Sequence, residues 1–267
     1  MKNRNKYIIL FLLIFLMGCE QELNWQFNET QNIVVVDALI TNEIKAHEIY
    51  VHEFDGNLNA NPVPISDIEI KLISRLDTIY YRESATDKGT YIAEKEFRAG
   101  GSILYKLVIN HLGFSDTATA RLTAIDPLEN ISISSNGELH KFDYMESNLA
   151  SMMDVFYDWS SNRTYCEQMN KCETWETYYT LRNLDIQKEF APEKEEILFP
   201  AGTRIIRHKY SLSLAHQKFI RSLLIETEWR GGLYDPEQGN VQSNFRHGIK
   251  GWFGVCMVLK DTTYINE

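Results

Sequence analysis

The sequence predicts a mainly β protein in which two β-sandwich-like regions follow one another and the second carries one amphipathic helix. Short apolar or alternating runs are separated by turn-forming residues about every 8 to 12 positions, a spacing typical of sandwiches. The hydrophobic content of 44%, with 12% aromatic residues, is typical of a folded chain. We therefore expect an N-terminal sandwich over residues 31–125 and a second β-rich domain over residues 126–267.

The N-terminal region begins with a β-rich apolar run, and its residues 68–74 alternate apolar and polar at the period of a β-strand. Residues 33–40 and 48–54 are joined by a short turn-forming segment, which predicts a hairpin. Asp126 and Pro127 mark the end of this region, because proline removes a backbone donor and restricts the residue before it. Further strands are predicted over residues 68–74, 77–82, 91–92, 104–110 and 115–122.

The second region combines strands with a single helix near residues 214–229. Ser213 can cap this helix, apolar residues recur within it at helical spacing, and Gly231 and Gly232 end it. Strands are predicted over residues 131–134, 152–159, 175–181, 205–212 and 251–259.

Residues 1–18 are typical of a lipoprotein signal peptide. Three basic residues precede an apolar run over residues 7–17, which is shorter than the roughly 20 helical residues that cross a bilayer. The ending LMGC resembles the bacterial lipobox, whose cysteine is acylated on sulfur and becomes the mature N-terminus. We therefore expect Cys19 to be a lipidated (palmitate-type) membrane anchor; the alternative is an ordinary signal peptide in which Cys19 has no special role.

Residues 19–30 are expected to form a short polar tether. The acidic residues directly after Cys19 resemble the export signals that send Bacteroidota lipoproteins to the outer face of the outer membrane. The formal net charge of −10 gives no electrostatic attraction to an anionic leaflet, so the lipid is expected to provide the attachment. The same charge disfavours nucleic-acid binding.

Three cysteines follow Cys19. Cys166 and Cys172 enclose a short polar segment that can close as a disulfide loop in an oxidising compartment, or remain as two thiols. A zinc site would need further ligands, and none lies nearby in the sequence. Cys256 lies in an apolar stretch and is expected to be a small buried side chain.

The sequence lacks the motifs that identify common enzymes. There is no G-x-S-x-G elbow, no phosphate-binding glycine loop and no C-x-x-C pair. His47 and His52 are each followed by glutamate, as in the H-E-x-x-H zinc motif, but the second histidine is missing. Both histidines are expected at exposed strand positions. We expect no catalytic residues, no metal site and no cofactor.

Three aromatic residues near the Cys166–Cys172 segment are candidates for a ligand or partner surface: Trp159, Tyr165 and Trp175. Aromatic side chains of this kind either fill the space between sheets or stack on a sugar ring or a protein partner. Core packing is therefore the alternative for each of them.

Three motifs carry a resemblance to a known family: the opening IVVVDALITN, the turn DKGTY, and the closing block GGLYDPEQGNVQSNFRHGIKGWFGV. They resemble the Bacteroidota outer-membrane lipoproteins of domain of unknown function 4249, which are commonly encoded beside TonB-dependent receptors. The chain departs from that family at Ser243, where glycine is usual, and at Trp252, where tyrosine is commoner. The resemblance implies an N-terminal Ig-like or carboxypeptidase-regulatory-like sandwich and a location on the outer membrane.

The resemblance also implies a function without catalysis. The chain is expected to act as an accessory or ligand-capture partner of a TonB-dependent transporter at the cell surface, with a glycan or peptide as ligand. The alternative is an adhesin or envelope-assembly component that binds an extracellular protein or glycan.

Two threonines are candidate O-glycosylation sites. Thr78 and Thr117 each follow an aspartate and precede an aliphatic residue, which resembles the Bacteroidota acceptor motif.

Overall fold

The computed structural model describes residues 33–54, 61–182, 192, 195–229 and 241–265, apart from the side chain of Asn136. The predicted signal peptide 1–18, the lipidation site Cys19 and the tether 19–30 lie outside the described residues. Residues Asn32–Glu267 form one compact unit. Among the described residues, no helix has both the length and the apolar character needed to span a bilayer.

The protein is mainly β, as the sequence predicts. Its strands are β1 Ile33–Thr41, β2 Glu48–Phe54, β3 Val63–Pro64, β4 Glu69–Ile73, β5 Thr78–Glu83, β6 Thr90–Ala93, β7 Leu104–His111, β8 Phe114–Arg121, β9 Ile133–Asn136, β10 Leu139–Phe142, β11 Ser151–Asp158, β12 Glu173–Thr180, β13 Leu198–Pro200, β14 Arg204–Ser211, β15 Lys250–Cys256 and β16 Val258–Tyr264. Its described helices are α1 Arg163–Met169 and α2 Leu214–Glu226.

The first sheet has nine strands and curves until its two edges meet. The order is β15-β1-β2-β6-β5-β4-β7-β8, with β3 beside β2. All pairs are antiparallel except β1 with β15, which is parallel. A parallel bridge between Thr123, just after β8, and Cys256 of β15 joins the edges, so the sheet is nearly a barrel.

Alternation along the strands fills the interior of this barrel. In β1, Val36, Ala38 and Ile40 are buried, and in the neighbouring β2 the buried residues are Ile49 and Val51. Successive side chains of a strand point to opposite faces, so the residues between them lie on the outside of the sheet. The predicted hairpin 33–54 is confirmed with this register.

The two smaller sheets pack against each other as a sandwich. The three-stranded sheet β13-β10-β9 and the four-stranded sheet β12-β11-β14-β16 share one core. Its members include Phe142, Val155, Phe199 and Ile205. Helix α2 packs on the other face of the four-stranded sheet, where its Ile220 contacts a separate cluster that includes Met152 and Tyr179.

The predicted single strand 251–259 is divided between the two sheet systems at Met257. The backbone N–H of Ser211 donates to the Met257 carbonyl at 2.9 Å, and the Met257 N–H donates to Ser211 Oγ at 2.8 Å. Asn42 Oδ1 accepts from the N–H of Val258 at 2.7 Å. These hydrogen bonds take the place of regular strand pairing where the chain leaves the barrel. Strand β15 therefore joins a sheet whose other strands precede the predicted boundary at residues 125 and 126, and strand β16 joins a sheet whose strands all follow it.

Two local predictions need correction. His47 is not at an exposed strand position: it is fully buried, and its Nε2 lies 3.1 Å from the carbonyl oxygen of Phe97. Burial, followed by the nearby Lys45 charge, lowers the pKa of His47 to about 4. Helix α1, within the segment between β11 and β12, was not predicted because its seven residues have no amphipathic repeat.

Candidate ligand-binding cleft

A cleft of about 650 Å³ lies between the outer face of the barrel, helix α2 and the four-stranded sheet. The barrel contributes residues from β1, β2 and β15, and the other walls come from α2, β11, β12 and β14. Elements that are far apart in the chain therefore meet here.

Strand register places three candidate ligand-binding side chains side by side on the barrel wall. Asp37 of β1 pairs with Tyr50 of β2 on one side and with Trp252 of β15 on the other. Directly paired residues present their side chains on the same face of a sheet. Because Val36 and Ala38 point into the barrel core, Asp37 and its two neighbours face the cleft.

A stack of three rings joins the barrel wall to helix α2. The ring of Trp252 lies 5.3 Å from that of His216 and 4.9 Å from that of Phe219, with interplanar angles of 20° and 18°. His216 and Phe219 are three residues apart on α2, so they share one face of the helix. Gly254 permits this approach, because a Cβ there would lie 2.9 Å from Leu39 Cδ1 and 3.3 Å from His216 Cε1.

The side chain of Trp252 is buried, and its indole Nε1 has no hydrogen-bond partner among the described residues. A buried indole N–H normally has a partner. This nitrogen lies beside Gly254, where an added Cβ would be 3.3 Å from it.

The opposite wall is a row of side chains across the four-stranded sheet. Met152 of β11 pairs with Tyr179 of β12 and with Tyr210 of β14. Met153, the next residue along β11, points into the sandwich core, so this row lies on the opposite face. Met152 therefore lines the cleft and Met153 lies in the sandwich core, because successive side chains of a strand point to opposite faces.

Asp37, Tyr50 and His216 of the cleft have shifted pKa values. Asp37 is open to solvent through the mouth of the cleft, but the surrounding walls displace water and raise its pKa, against a smaller opposing effect of His52. Tyr50 donates to Glu48 Oε2 at 2.7 Å, and this bond, together with burial, raises the Tyr50 pKa to about 12. Burial lowers the pKa of His216 to about 4, so its imidazole is neutral at pH 7.

The cleft can bind a ligand that has a flat apolar face and a donor or positive group. The stacked rings offer the apolar surface, while Asp37 and Glu48 offer acceptors on the barrel wall. Lys45, which also lines the cleft, is paired with Glu43 at 3.2 Å. Aromatic faces attract cations and also stack on sugar rings.

The predicted partner surface is corrected for two of its three residues. Trp159 is 1% exposed, and its Nε1 donates to the Lys171 carbonyl at 2.8 Å. Tyr165 is also buried, its ring 5.5 Å from that of Trp159, and its hydroxyl donates to the Leu198 carbonyl at 2.7 Å. Both fill the sandwich core. Trp175 is 63% exposed on β12, so it alone of the three lies on the surface.

Cys166 and Cys172 form a disulfide, with their Cα atoms 4.6 Å apart. The bond joins helix α1 to the residue that precedes β12. Cys256 is buried as predicted, and burial raises the pKa of its thiol to about 12. That thiol is therefore protonated and inert at neutral pH.

The two candidate glycosylation sites differ in their surroundings. Thr78 begins β5 half-buried, beside the exposed Asp77, whose Oδ1 accepts from the Thr78 N–H at 2.8 Å. Thr117 is half-buried inside β8, beside the fully buried Asp116. Glycosylation of either residue stays a prediction.

Sequence reasoning missed the residues of the cleft. Asp37, Trp252 and His216 belong to no common motif and are brought together only by strand pairing and helix packing. One signal was present: Asp37 is a charged residue inside the apolar run IVVVDALI. A carboxylate in such a run is expected either to be paired or to serve a site.

Comparison with models of known protein families finds no match to this chain, and comparison with curated proteins also finds none.

Proposed function

We propose that this chain is a non-enzymatic outer-membrane lipoprotein, exposed at the cell surface, that captures a ligand for a TonB-dependent transporter. The observation that carries ligand capture is the cleft with its stacked aromatic wall. Its volume of about 650 Å³ falls within the roughly 300–1,000 Å³ that is typical of small-molecule sites. A rigid β scaffold on both sides keeps such a site preformed.

The polar groups define the ligand class. Asp37 and Glu48 favour a ligand with hydroxyl, ammonium or guanidinium donors, and the rings of Trp252 and Phe219 favour a flat apolar face. A sugar, or a peptide with a basic side chain, combines these features.

The sequence supports the membrane part of the proposal. The basic and apolar start followed by LMGC is typical of a lipidated export signal, and two or more acyl chains hold a protein firmly on a bilayer. The partnership with a transporter follows from the resemblance to the outer-membrane lipoproteins of domain of unknown function 4249.

A pull-down tests the partnership. The natively lipidated protein is isolated from its own outer membrane in mild detergent, with a Cys19→Ala variant as control, and recovered proteins are identified by mass spectrometry. We expect a TonB-dependent barrel in near-equal amount with the lipidated protein and the acyl mass on Cys19. Recovery of the protein alone would contradict the transporter partnership, and absence of the acyl mass would contradict the anchor.

Native mass spectrometry tests the cleft. We expect protein purified gently from its own cells to retain a small molecule that is lost in Asp37→Asn, while a matched variant outside the cleft, Asp77→Asn, retains it. Asparagine keeps the shape of aspartate but removes the charge and one acceptor. Equal retention by both variants would place ligand binding elsewhere.

A second candidate function is an adhesin or envelope-assembly component that binds an extracellular protein or glycan. The exposed Trp175 favours it, because it lies on β12, which pairs only with β11 in the described part of the chain. Strands at a sheet edge can accept a further strand from a partner. A Trp175→Ser variant that loses cell or glycan attachment, but keeps transporter recovery, would favour this function over ligand capture.

A further inference from the structure

The hairpin between β7 and β8 presents apolar side chains at its tip. His111 pairs with Phe114, so Leu112 and Gly113 form a two-residue turn. Leu112 is 93% exposed and Phe114 is 42% exposed. The Leu112 side chain therefore contributes almost nothing to packing within the folded chain.

The backbone of this turn is unfavourable for leucine. Leu112 has φ 48° and Gly113 has φ 79°, and two positive φ values are the requirement of a type I′ turn. Asparagine, aspartate or glycine is the usual first residue, because a larger side chain is strained in the left-handed region. The chain thus places an exposed leucine where it costs stability. A residue held in this way points to a contact made outside the folded chain.

A loop with basic residues lies along one side of the tip. Asp116 of β8 fixes the loop before β15 beside the hairpin by accepting the backbone N–H groups of Arg246 and His247 at 2.8 and 2.9 Å. Arg246, His247 and Lys250 are all exposed. Gly248 of the same loop lies next to the ring of Phe114, since a Cβ on it would be 3.8 Å from Phe114 Cζ. An apolar tip with a basic rim matches a lipid surface with phosphate headgroups.

The tip and the start of the described chain share one end of the barrel. β1 and β15 run parallel, and the bridge from Thr123 to Cys256 shows that β8 runs parallel to them. Ile33 and Phe114, the first residues of β1 and β8, therefore lie at the same end. The segment that connects Cys19 to the fold enters at Ile33, so a lipid anchor on Cys19 would draw this end toward the bilayer.

We propose that the β7–β8 tip, with its basic rim of Arg246, His247 and Lys250, rests on the bilayer that anchors Cys19, and that Leu112 and Phe114 enter the headgroup region. The inference rests on the lipid anchor of the proposed function. Contact at the tip fixes the barrel end-on to the membrane. Acyl chains on a polar tether cannot fix an orientation by themselves.

Fluorescence quenching tests the orientation independently of lipidation. A full-length mature chain carries Cys19→Ala and a hexahistidine segment in place of residues 1–18. It is held on vesicles of phosphatidylethanolamine, phosphatidylglycerol and a nickel-chelating lipid, in which the acyl chains are brominated. Tryptophan is introduced as Leu112→Trp or Phe114→Trp. The control is Leu76→Trp, since Leu76 is 70% exposed in the β4–β5 turn at the other end of the barrel.

We expect the added tryptophan at 112 or 114 to be quenched several-fold more than the one at 76, after subtraction of the parent signal. Equal quenching at both ends would overturn the proposal. Because the tag replaces the acyl anchor, this result stands whether or not Cys19 is lipidated. Intact mass of the native protein decides lipidation separately.

A second pair of variants guards against loss of folding. Leu112→Asn keeps a residue that suits the turn, and Leu76→Asn is its matched control. These two variants are compared in the Cys19→Ala chain without the hexahistidine segment. We expect Leu112→Asn to lower the partition coefficient onto the vesicles about tenfold, because one apolar side chain is lost from the interface. Leu76→Asn should leave the partition coefficient unchanged. If Leu112→Asn leaves vesicle binding unchanged but loses a protein from the outer-membrane pull-down, the tip binds a protein and the lipid proposal is wrong.

Discussion

The carboxylate of Asp116 in β8 accepts a 2.8 Å hydrogen bond from the backbone N–H of Arg246, which lies 130 positions later in the loop before β15. Three further backbone N–H groups donate to the same carboxylate, those of Thr117, His247 and Ile249. Burial by itself would raise the Asp116 pKa, but these four donors lower it. One side chain therefore fastens the two edges of the curved sheet where regular strand pairing is incomplete.

Replacement of that carboxylate is expected to destabilise the protein. Asp116→Asn keeps the size of the side chain but sets an amide NH₂ against backbone donors. We expect the free energy of unfolding to fall by about 2–4 kcal/mol, because hydrogen bonds to a charged group are lost inside the protein. Urea unfolding followed by circular dichroism measures this. The control Asp77→Asn, at an exposed position paired with Lys95, should change the value much less, because solvent screens exposed ion pairs. Equal effects would mean that the seam does not depend on Asp116.

Glu43 gives the protein a defined acid sensitivity. Its two oxygens lie 2.6 Å from Lys260 Nζ and 3.2 Å from Lys45 Nζ. Burial opposes ionisation, but the two lysines outweigh it and lower the Glu43 pKa to about 2. A lowered folded-state pKa stabilises the protein above the ordinary value near 4.5, and this contribution is lost as the pH falls toward 2.

We therefore expect the difference in unfolding free energy between the parent protein and Glu43→Gln to be constant above about pH 5 and to shrink as the pH falls toward 2. Unfolding curves at a series of pH values measure it. Because Glu43 is partly exposed, added salt should reduce the difference. A difference that does not vary with pH would show that the two lysines do not stabilise the ionised form.

Leu112→Asn is expected to stabilise the isolated protein. The native φ of 48° suits asparagine better than leucine, and relief of left-handed strain contributes about 1 kcal/mol. Leu76→Asn, at an exposed position without a positive φ, should be nearly neutral. Thermal and urea unfolding of the two variants make the comparison. A loss of stability in Leu112→Asn would show that the leucine packs within the fold.

Gly251→Ala is expected to weaken the parallel pairing of β1 and β15. Gly251 has φ 93°, and a Cβ at this position would overlap the carbonyl oxygen of its partner Val36. We expect a loss of about 3 kcal/mol in unfolding free energy, since strain and clash add. Gly101→Ala is the control, because no atom lies within 4 Å of its added Cβ. Similar stability for both variants would contradict the close approach of the two strands.

Several features followed from local sequence. The hairpin of β1 and β2 was predictable because an apolar run rich in β-branched residues and a second strand-like run lie on either side of a short turn. Helix α2 was predictable because Ser213 caps it and apolar residues recur at helical spacing; its Oγ accepts from the His216 N–H at 3.2 Å. The burial of Cys256 followed from its apolar neighbours.

Other features depended on contacts between distant segments. Trp159 and Tyr165 looked like surface candidates because they lie near a polar segment, but both pack in the sandwich core. Their polar atoms donate to the backbone carbonyls of Lys171 and Leu198. His47 is buried against Phe97, a residue 50 positions away. The residues on either side of a position in the sequence do not indicate which distant residues it will contact.

The sequence by itself determined the β class, the first hairpin and helix α2, because each depends on side chains within one short segment whose periodicity selects the buried face. Only the tertiary structure decided which sheet each half of residues 251–259 joins, since that choice depends on the backbone groups of Val36 and Ser211. It likewise decided that Asp37 and Trp252 line one cleft. Pairing between strands far apart in the chain fixes which outward-facing residues become neighbours, and no local pattern encodes that pairing.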